Sequence, residues 1–189
     1  MDAYRVLKNP EYLAVAERNA NFIINKQLRE DGGLNHSYKE GRSTINGYLE
    51  DYATTIEAFL ALYEVTLNET WLNTARDLAN YSFDHFFDEK SKLFYFTSNL
   101  DASLVSRSVE YRDNVIPASN SIMAKNLFKL SHYFDNKHFA KTATTMLNNV
   151  KPEIIDYGSG FSNWLDLMMN YTNSYYEVAI SGKEVMGKL

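Results

Sequence analysis

Cysteine is absent from the 189 residues, which excludes disulfides, thiolate nucleophiles and Cys-ligated metals. Long apolar runs are missing too, since none approaches the ~20 residues that a membrane-spanning helix needs. The opening Met1-Asp2-Ala3-Tyr4-Arg5 lacks the apolar core of a secretory signal. The expectation is a cytoplasmic chain with no membrane partner. Basic charge is scarce: 19 Lys and Arg against 24 Asp and Glu leave a formal charge of -5, the wrong sign for displacing counterions from nucleic acid. The four histidines (His36, His85, His132, His138) are scattered, and none pairs at i, i+3 or i, i+4 with another His or with a well-placed carboxylate pair. Neither a metal site nor a cofactor is expected. A Gly-rich phosphate loop and a Ser-His-Asp order are also lacking. What remains is 45% hydrophobic and 23% charged residues, the balance of one water-soluble domain over 1–189.

One pattern recurs three times: Asn9-Pro-Glu-Tyr12 with Ala16, Asn68-Glu-Thr-Trp71 with Ala75, and Asn136-Lys-His-Phe139 with Ala143. Asn caps a helix, the aromatic three residues on opens a buried stripe, and Ala one turn later permits close helix contact. Upstream of the second and third copies lie longer apolar segments, Gly47 to Leu67 and Ala118 to Phe134. The links between them are very short, so each segment and the helix after it form an antiparallel αα-hairpin.

The two helices of a hairpin differ in pattern. From Trp71 to Phe86 the apolar residues hold a single stripe, as in an outer helix, whereas from Tyr48 to Tyr63 they cover nearly every face, as in an inner one. Ile122 to Leu130 and Phe139 to Val150 repeat the contrast, and two layers of helices follow. Asp31 to Asn46, Asp88 to Pro117 and Lys151 to Gly160 read as long connectors. All three run from an outer helix to an inner one, so they share a rim. The middle connector is predicted to hold a β-hairpin, Leu93–Thr97 against Leu104–Val109, and Tyr175–Ile180 is a weaker strand candidate.

Chemistry is expected at that rim, where loops meet a rigid scaffold. Three clusters qualify: Glu50-Asp51-Tyr52; Arg107 with Glu110, Arg112, Asp113 and Asn114; and Ser119-Asn120-Ser121. Carboxylates from separate hairpins can act as general acid and base, as glycoside chemistry requires, and neighbouring aromatics can stack on sugar faces. The competing reading is structural: Glu50 and Asp51 favour a helix N-terminus, Asp113 pairs with Arg107 or Arg112, and Ser119 caps a helix. Trp164, beside Gly158-Ser159-Gly160-Phe161, has the same two readings, ligand stacking or core.

Gly47-Tyr-Leu-Glu-Asp-Tyr-Ala53, Leu62-Tyr-Glu-Val-Thr66 followed by Trp71-Leu72, and Arg107-Ser-Val-Glu-Tyr-Arg-Asp113-Asn-Val-Ile-Pro117-Ala-Ser-Asn120-Ser121 resemble the helical part of the thioredoxin-domain-containing, spermatogenesis-associated family. The resemblance implies an (α/α)6 toroid similar to six-hairpin glycosidases and N-acylglucosamine 2-epimerases, of which this all-α chain would be about half. The family's thioredoxin-like domain has no counterpart in it. Its signature positions fall on Glu50, Asp51, Tyr52, Arg107, Asp113, Ser119 and Asn120. The resulting expectation is a fragment of a carbohydrate-active toroid. Asp51 and Asp113 would be catalytic, while Glu50, Tyr52, Arg107, Ser119, Asn120 and Trp164 would bind a sugar. The alternative is a helical scaffold for a protein partner. A half-ring would also leave apolar inner helices uncovered, so a homodimer is expected.

Overall fold

The computed structural model describes residues 1–102 and 106–178. Its helices are α1 (Asp2–Leu7), α2 (Pro10–Phe22, continued by a π-turn at Ile23–Gln27), α3 (Leu49–Thr66), α4 (Glu69–Phe86), α5 (Ser119–Tyr133), α6 (Lys137–Asp156) and α7 (Ser162–Thr172). The repeat seen in the sequence is a stereochemical repeat. Asn9 Oδ1 accepts from Glu11 N at 2.9 Å, Asn68 Oδ1 from Thr70 N at 3.0 Å, and Asn136 Oδ1 from His138 N at 2.9 Å. The residue before each Asn, Lys8, Leu67 or Asp135, is left-handed, with φ of 53°, 55° and 46°. Each link therefore reverses the chain in a few residues, ending one helix and capping the next.

Helices α3 and α4 form one antiparallel hairpin and α5 and α6 another; α3 packs on α5 and α5 on α7. The inner layer is α3, α5 and α7, and the outer layer is α2, α4 and α6. Leu49, Tyr52, Ala53, Ile56, Phe59, Leu60 and Leu62 of α3 are buried. Stripes on the outer helices cover the inner ones, with Trp71, Ala75 and Leu78 of α4 on α3 and Phe139, Ala143 and Met146 of α6 on α5. The inner layer is braced by a polar bond as well: Asn126, buried on α5, donates Nδ2 to the Ala53 carbonyl of α3 at 2.7 Å. The inner helices are less uniformly apolar than the sequence predicts. The concave side of α3 exposes Thr54, Glu57 and Ala58, and α5 turns Lys125 and Lys129 to the same side.

The connectors differ from expectation in three places. The first holds a true hairpin, β1 (Asn35–Lys39) against β2 (Arg42–Asn46), turned through Glu40 and Gly41, both at positive φ (51° and 81°) as a two-residue primed turn requires. In the middle connector, Leu93–Phe94 (β4) pairs instead with Phe87–Asp88 (β3) at the end of α4. Ser106–Val109 is not a strand, and Ser103, Leu104 and Val105 of the predicted hairpin lie outside the described residues. Pairing back onto the helix end is the shorter closure, and it leaves the backbone of 95–102 free to meet α3. The third connector shrinks to 157–161, because α6 continues through Pro152 to Asp156. Tyr175–Val178 carries no regular structure, and Ala179 and Ile180 are outside the described residues.

The connectors do gather at the N-termini of the inner helices. Leu49 N donates to Phe96 O at 2.9 Å, Asn46 Nδ2 to Asp101 Oδ1 at 2.9 Å, and Asp113 N to Gly160 O at 2.8 Å. Among the described residues no helix is long and apolar enough to cross a membrane. Replacing Asn126 with Ala leaves the Ala53 carbonyl without its side-chain donor and opens a small void. We expect a stability loss of about 1–3 kcal/mol, measured as a lower urea midpoint at unchanged m-value.

Candidate functional site

The rim is organised by the start of α3. Tyr48 is its N-cap, and Asp51 closes a capping box by accepting the Tyr48 N–H on Oδ2 at 2.8 Å. The same carboxylate receives His36 Nδ1 of β1 at 2.9 Å. Because Asp51 acts as acceptor in both contacts, Nδ1 carries the proton, and Nε2 is left as the basic nitrogen. His36 is brought here by the hairpin. Ile45 of β2 lies at φ 63°, and the His36–Ile45 pair is missing from a register that stays in phase on both sides of it, so the ladder opens at this position without an inserted residue. Gly47 is required just beyond. Its N–H binds Leu34 O at 2.8 Å, and a Cβ there would lie 2.9 Å from that oxygen.

Glu50 differs from its neighbour. Its half-buried carboxyl makes no hydrogen bond to another described residue, and burial holds it above the usual carboxylate range, reinforced by the charges of Asp51 and Glu110 and opposed by His36. Glu110 comes from the middle connector and accepts Ser119 N on Oε2 at 3.3 Å, at the positive end of α5. Aromatic rings flank this group. Tyr48 stacks on Phe96 (5.0 Å between centroids, 13° between planes) and meets His36 edge-on at 4.9 Å.

Of the remaining positions named from the sequence, all but Ser119 have their polar atoms engaged inside the protein. Tyr52 is fully buried; it stacks on Tyr81, and its hydroxyl accepts from Leu34 N at 2.8 Å. Arg107 donates Nε to Thr97 O at 3.0 Å and Nη2 to His85 O at 3.1 Å, and lies 4.2 Å above the Tyr95 ring; burial lowers its pKa. Asn120 acts as a strand edge for β4, accepting from Phe94 N at 2.8 Å and donating to Phe94 O at 2.9 Å. Trp164 is buried and donates Nε1 to Tyr111 O at 2.7 Å. Ser119 follows the N-cap Ala118 rather than capping α5 itself, and its hydroxyl is buried with no hydrogen-bond partner among the described residues.

Asp113 pairs with neither Arg107 nor Arg112, the latter being bonded to Glu153. Its Oδ1 accepts from Ala118 N at 2.9 Å and Ser121 Oγ at 2.7 Å, and its Oδ2 from Asn163 N at 2.8 Å. One buried carboxylate thus ties the starts of α5 and α7 together. The structure therefore brings Glu50, Asp51 and Glu110 together with His36, Tyr48 and Phe96, and builds Asp113 into the frame beneath α5 and α7. Among the described residues no three His, Asp or Glu side chains converge as metal ligands.

No family model matches the chain. An uncharacterized protein of Caenorhabditis elegans is 26% identical over 149 residues, 75% of this chain and 20% of that protein. Spermatogenesis-associated protein 20 of Mus musculus is 29% identical over 102 residues, 53% of this chain and 13% of that protein. The matches thus span a fifth or less of these relatives. Among solved structures, the GH76 α-mannanase of Bacteroides thetaiotaomicron superposes with a TM-score of 0.70 at 16% identity, over 91% of this chain and 49% of that one. Cellobiose 2-epimerase from Bacillus thermoamylovorans gives 0.61 at 18% identity, over 77% and 39%. The resemblance read from the motifs is thus matched by these relatives, and the chain has the fold of about half of an (α/α) toroid.

Two measurements separate the carboxylates. Asp113→Asn turns an amide NH2 toward a backbone N–H in either orientation and should cost about 3 kcal/mol, read by thermal or urea unfolding. Glu50→Gln should do the opposite. With its pKa raised in the folded state, Glu50 favours folding below its unfolded pKa, and that contribution is lost as pH rises through the folded value. The Gln variant should therefore match or exceed wild-type stability at neutral pH and lose the decline across that window.

Proposed function

We propose that the chain is the rim-bearing part of a carbohydrate-active toroid, and that the sugar lies against Tyr48 and Phe96 beside Glu50. The observation that carries this reading is a half-buried carboxyl that makes no hydrogen bond among the described residues, held protonated toward higher pH next to two further carboxylates. That is the environment of a general acid. Glu50 gives its proton to a glycosidic or ring oxygen. His36, oriented through Nδ1 by Asp51, accepts a proton on Nε2 from water or from a substrate C–H or O–H. Asp51 is then a positioning residue, and Asp113 builds the frame beneath the site. The same pair of groups suits hydrolysis and epimerisation alike, since both need one proton delivered and one removed.

The fold neighbours act on mannan and cellobiose, so α-mannobiose and cellobiose are the first probes. Calorimetry should detect binding of at least one. Glu50→Gln should lower turnover by about 100-fold or more while leaving the dissociation constant within a few-fold. The rate should fall as pH rises through the raised Glu50 pKa, because the acid must be protonated to act. Failure of every probe to bind, or wild-type turnover in Glu50→Gln, removes the proposal.

A further inference from the structure

Three carboxylates gather at the rim, and among the described residues no lysine or arginine answers them. The charges that act on Glu50 are Asp51 on its own helix, Glu110 on the middle connector and His36 on β1, and His36 already spends Nδ1 on Asp51. The cations of the neighbouring elements have other partners. Arg107 donates to Thr97 O and His85 O and lies over the Tyr95 ring. Arg29 is held by Asp31, Asn46 Oδ1 and the Tyr81 hydroxyl, and Arg112 by Glu153. Lys39 and Arg42 close the far end of the β1–β2 hairpin. On the concave side Lys125 pairs with Asp166 at 2.7 Å and Lys129 with Glu64 at 3.0 Å.

Two groups at this place make no hydrogen bond among the described residues. One is the half-buried Glu50 carboxyl, and the other is the Ser119 hydroxyl, fully buried on the residue whose N–H holds Glu110. An acid with neither a fixed donor nor a counter-ion leaves the outcome to the charge that a ligand brings. A unit charge placed about 4 Å from one carboxylate changes affinity by roughly fivefold in water, and by far more where protein displaces the solvent. Three such carboxylates make the sign of that charge decisive.

We propose that the rim selects sugars by charge: neutral sugars are turned over, sugar acids are excluded, and amino sugars bind as inhibitors. A sugar acid would set a fourth carboxylate among three, with no cation to receive it. An ammonium group is drawn by the same three charges. Seated beside Glu50, it favours the ionised carboxylate, and the Glu50 proton leaves to solvent. The acid then has nothing to give to a glycosidic or ring oxygen, so the ligand that binds most tightly is not turned over. Turnover and inhibition therefore run in opposite directions with pH. Turnover needs Glu50 protonated, whereas amino-sugar binding needs it ionised and strengthens as pH rises through the raised Glu50 pKa, for as long as the amine keeps its charge. This inference rests on the sugar reading of the site and adds the class of sugar.

The test uses the full chain with cellobiose, its uronic acid and the corresponding glucosamine disaccharide, and with the matching three sugars built on α-mannobiose. Calorimetry at low salt, at a pH where the amine is fully charged, should show the acid bound at least about tenfold more weakly than the neutral sugar. The amine should bind about tenfold more tightly, and both differences should shrink as salt rises. In two buffers of unequal ionisation heat, the amine should release protons and the neutral sugar none. Glu50→Gln should abolish that release and most of the amine's advantage. Glu110→Gln, which keeps an acceptor for the Ser119 N–H, should strengthen binding of the acid severalfold. Acid and neutral sugars that bind alike, or an amine that binds no more tightly and releases no proton, would overturn the inference and leave the sugar reading standing. Absence of binding by every one of these sugars would remove both.

Discussion

A single buried carboxylate holds the rim together. Asp113 receives two backbone N–H groups and a serine hydroxyl from the first turns of α5 and α7, so the middle connector cannot move without uncapping both helices. Negative charge at two helix N-termini is favourable in itself, and satisfying every contact is what makes a buried charge tolerable. From that point the connector runs back through Glu110 and Asn120 to β4, and through Phe96 to the start of α3. The position of each rim side chain follows from this frame.

The carboxylates at the rim therefore divide by environment. Asp51 and Asp113 each accept backbone N–H groups together with one side-chain donor, His36 Nδ1 for Asp51 and Ser121 Oγ for Asp113. Glu50 lies one residue from Asp51 on the same helical turn, yet it faces away from those donors and toward Glu110. Burial without compensation raises its affinity for a proton. A frame of satisfied acids around one unsatisfied acid is how a scaffold keeps a proton available without losing its shape.

The layers were legible in the sequence because the repeat is physical: an αL residue, an Asn cap and an aromatic stripe recur at each hairpin. The shared rim was legible for the same reason, since connectors of one type must lie at one end. Sequence reasoning missed His36, because its partner Asp51 is 15 residues away and reaches it only through a hairpin. The signal was present in Lys39-Glu40-Gly41-Arg42, a two-residue turn between five-residue arms. Tyr52 and Asn120 stood in polar motifs and proved to be core because motifs do not reveal which way a helix faces. Glu110 was visible as part of a cluster, but its opposition to Glu50 arises only when the middle connector folds back over α5.

We place the proposed ligand chemistry at the rim around Glu50 and not at the opposite end of the array, where Phe128, His132, Tyr171 and Tyr175 surround a cleft of about 390 Å³. A crystal soaked with whichever disaccharide binds in solution tests it most directly. The account predicts a sugar ring against Tyr48 and Phe96 with an oxygen within hydrogen-bonding distance of the Glu50 carboxyl. Density confined to the cleft beside Phe128 and Tyr175, with the Glu50 surroundings unchanged, would contradict it.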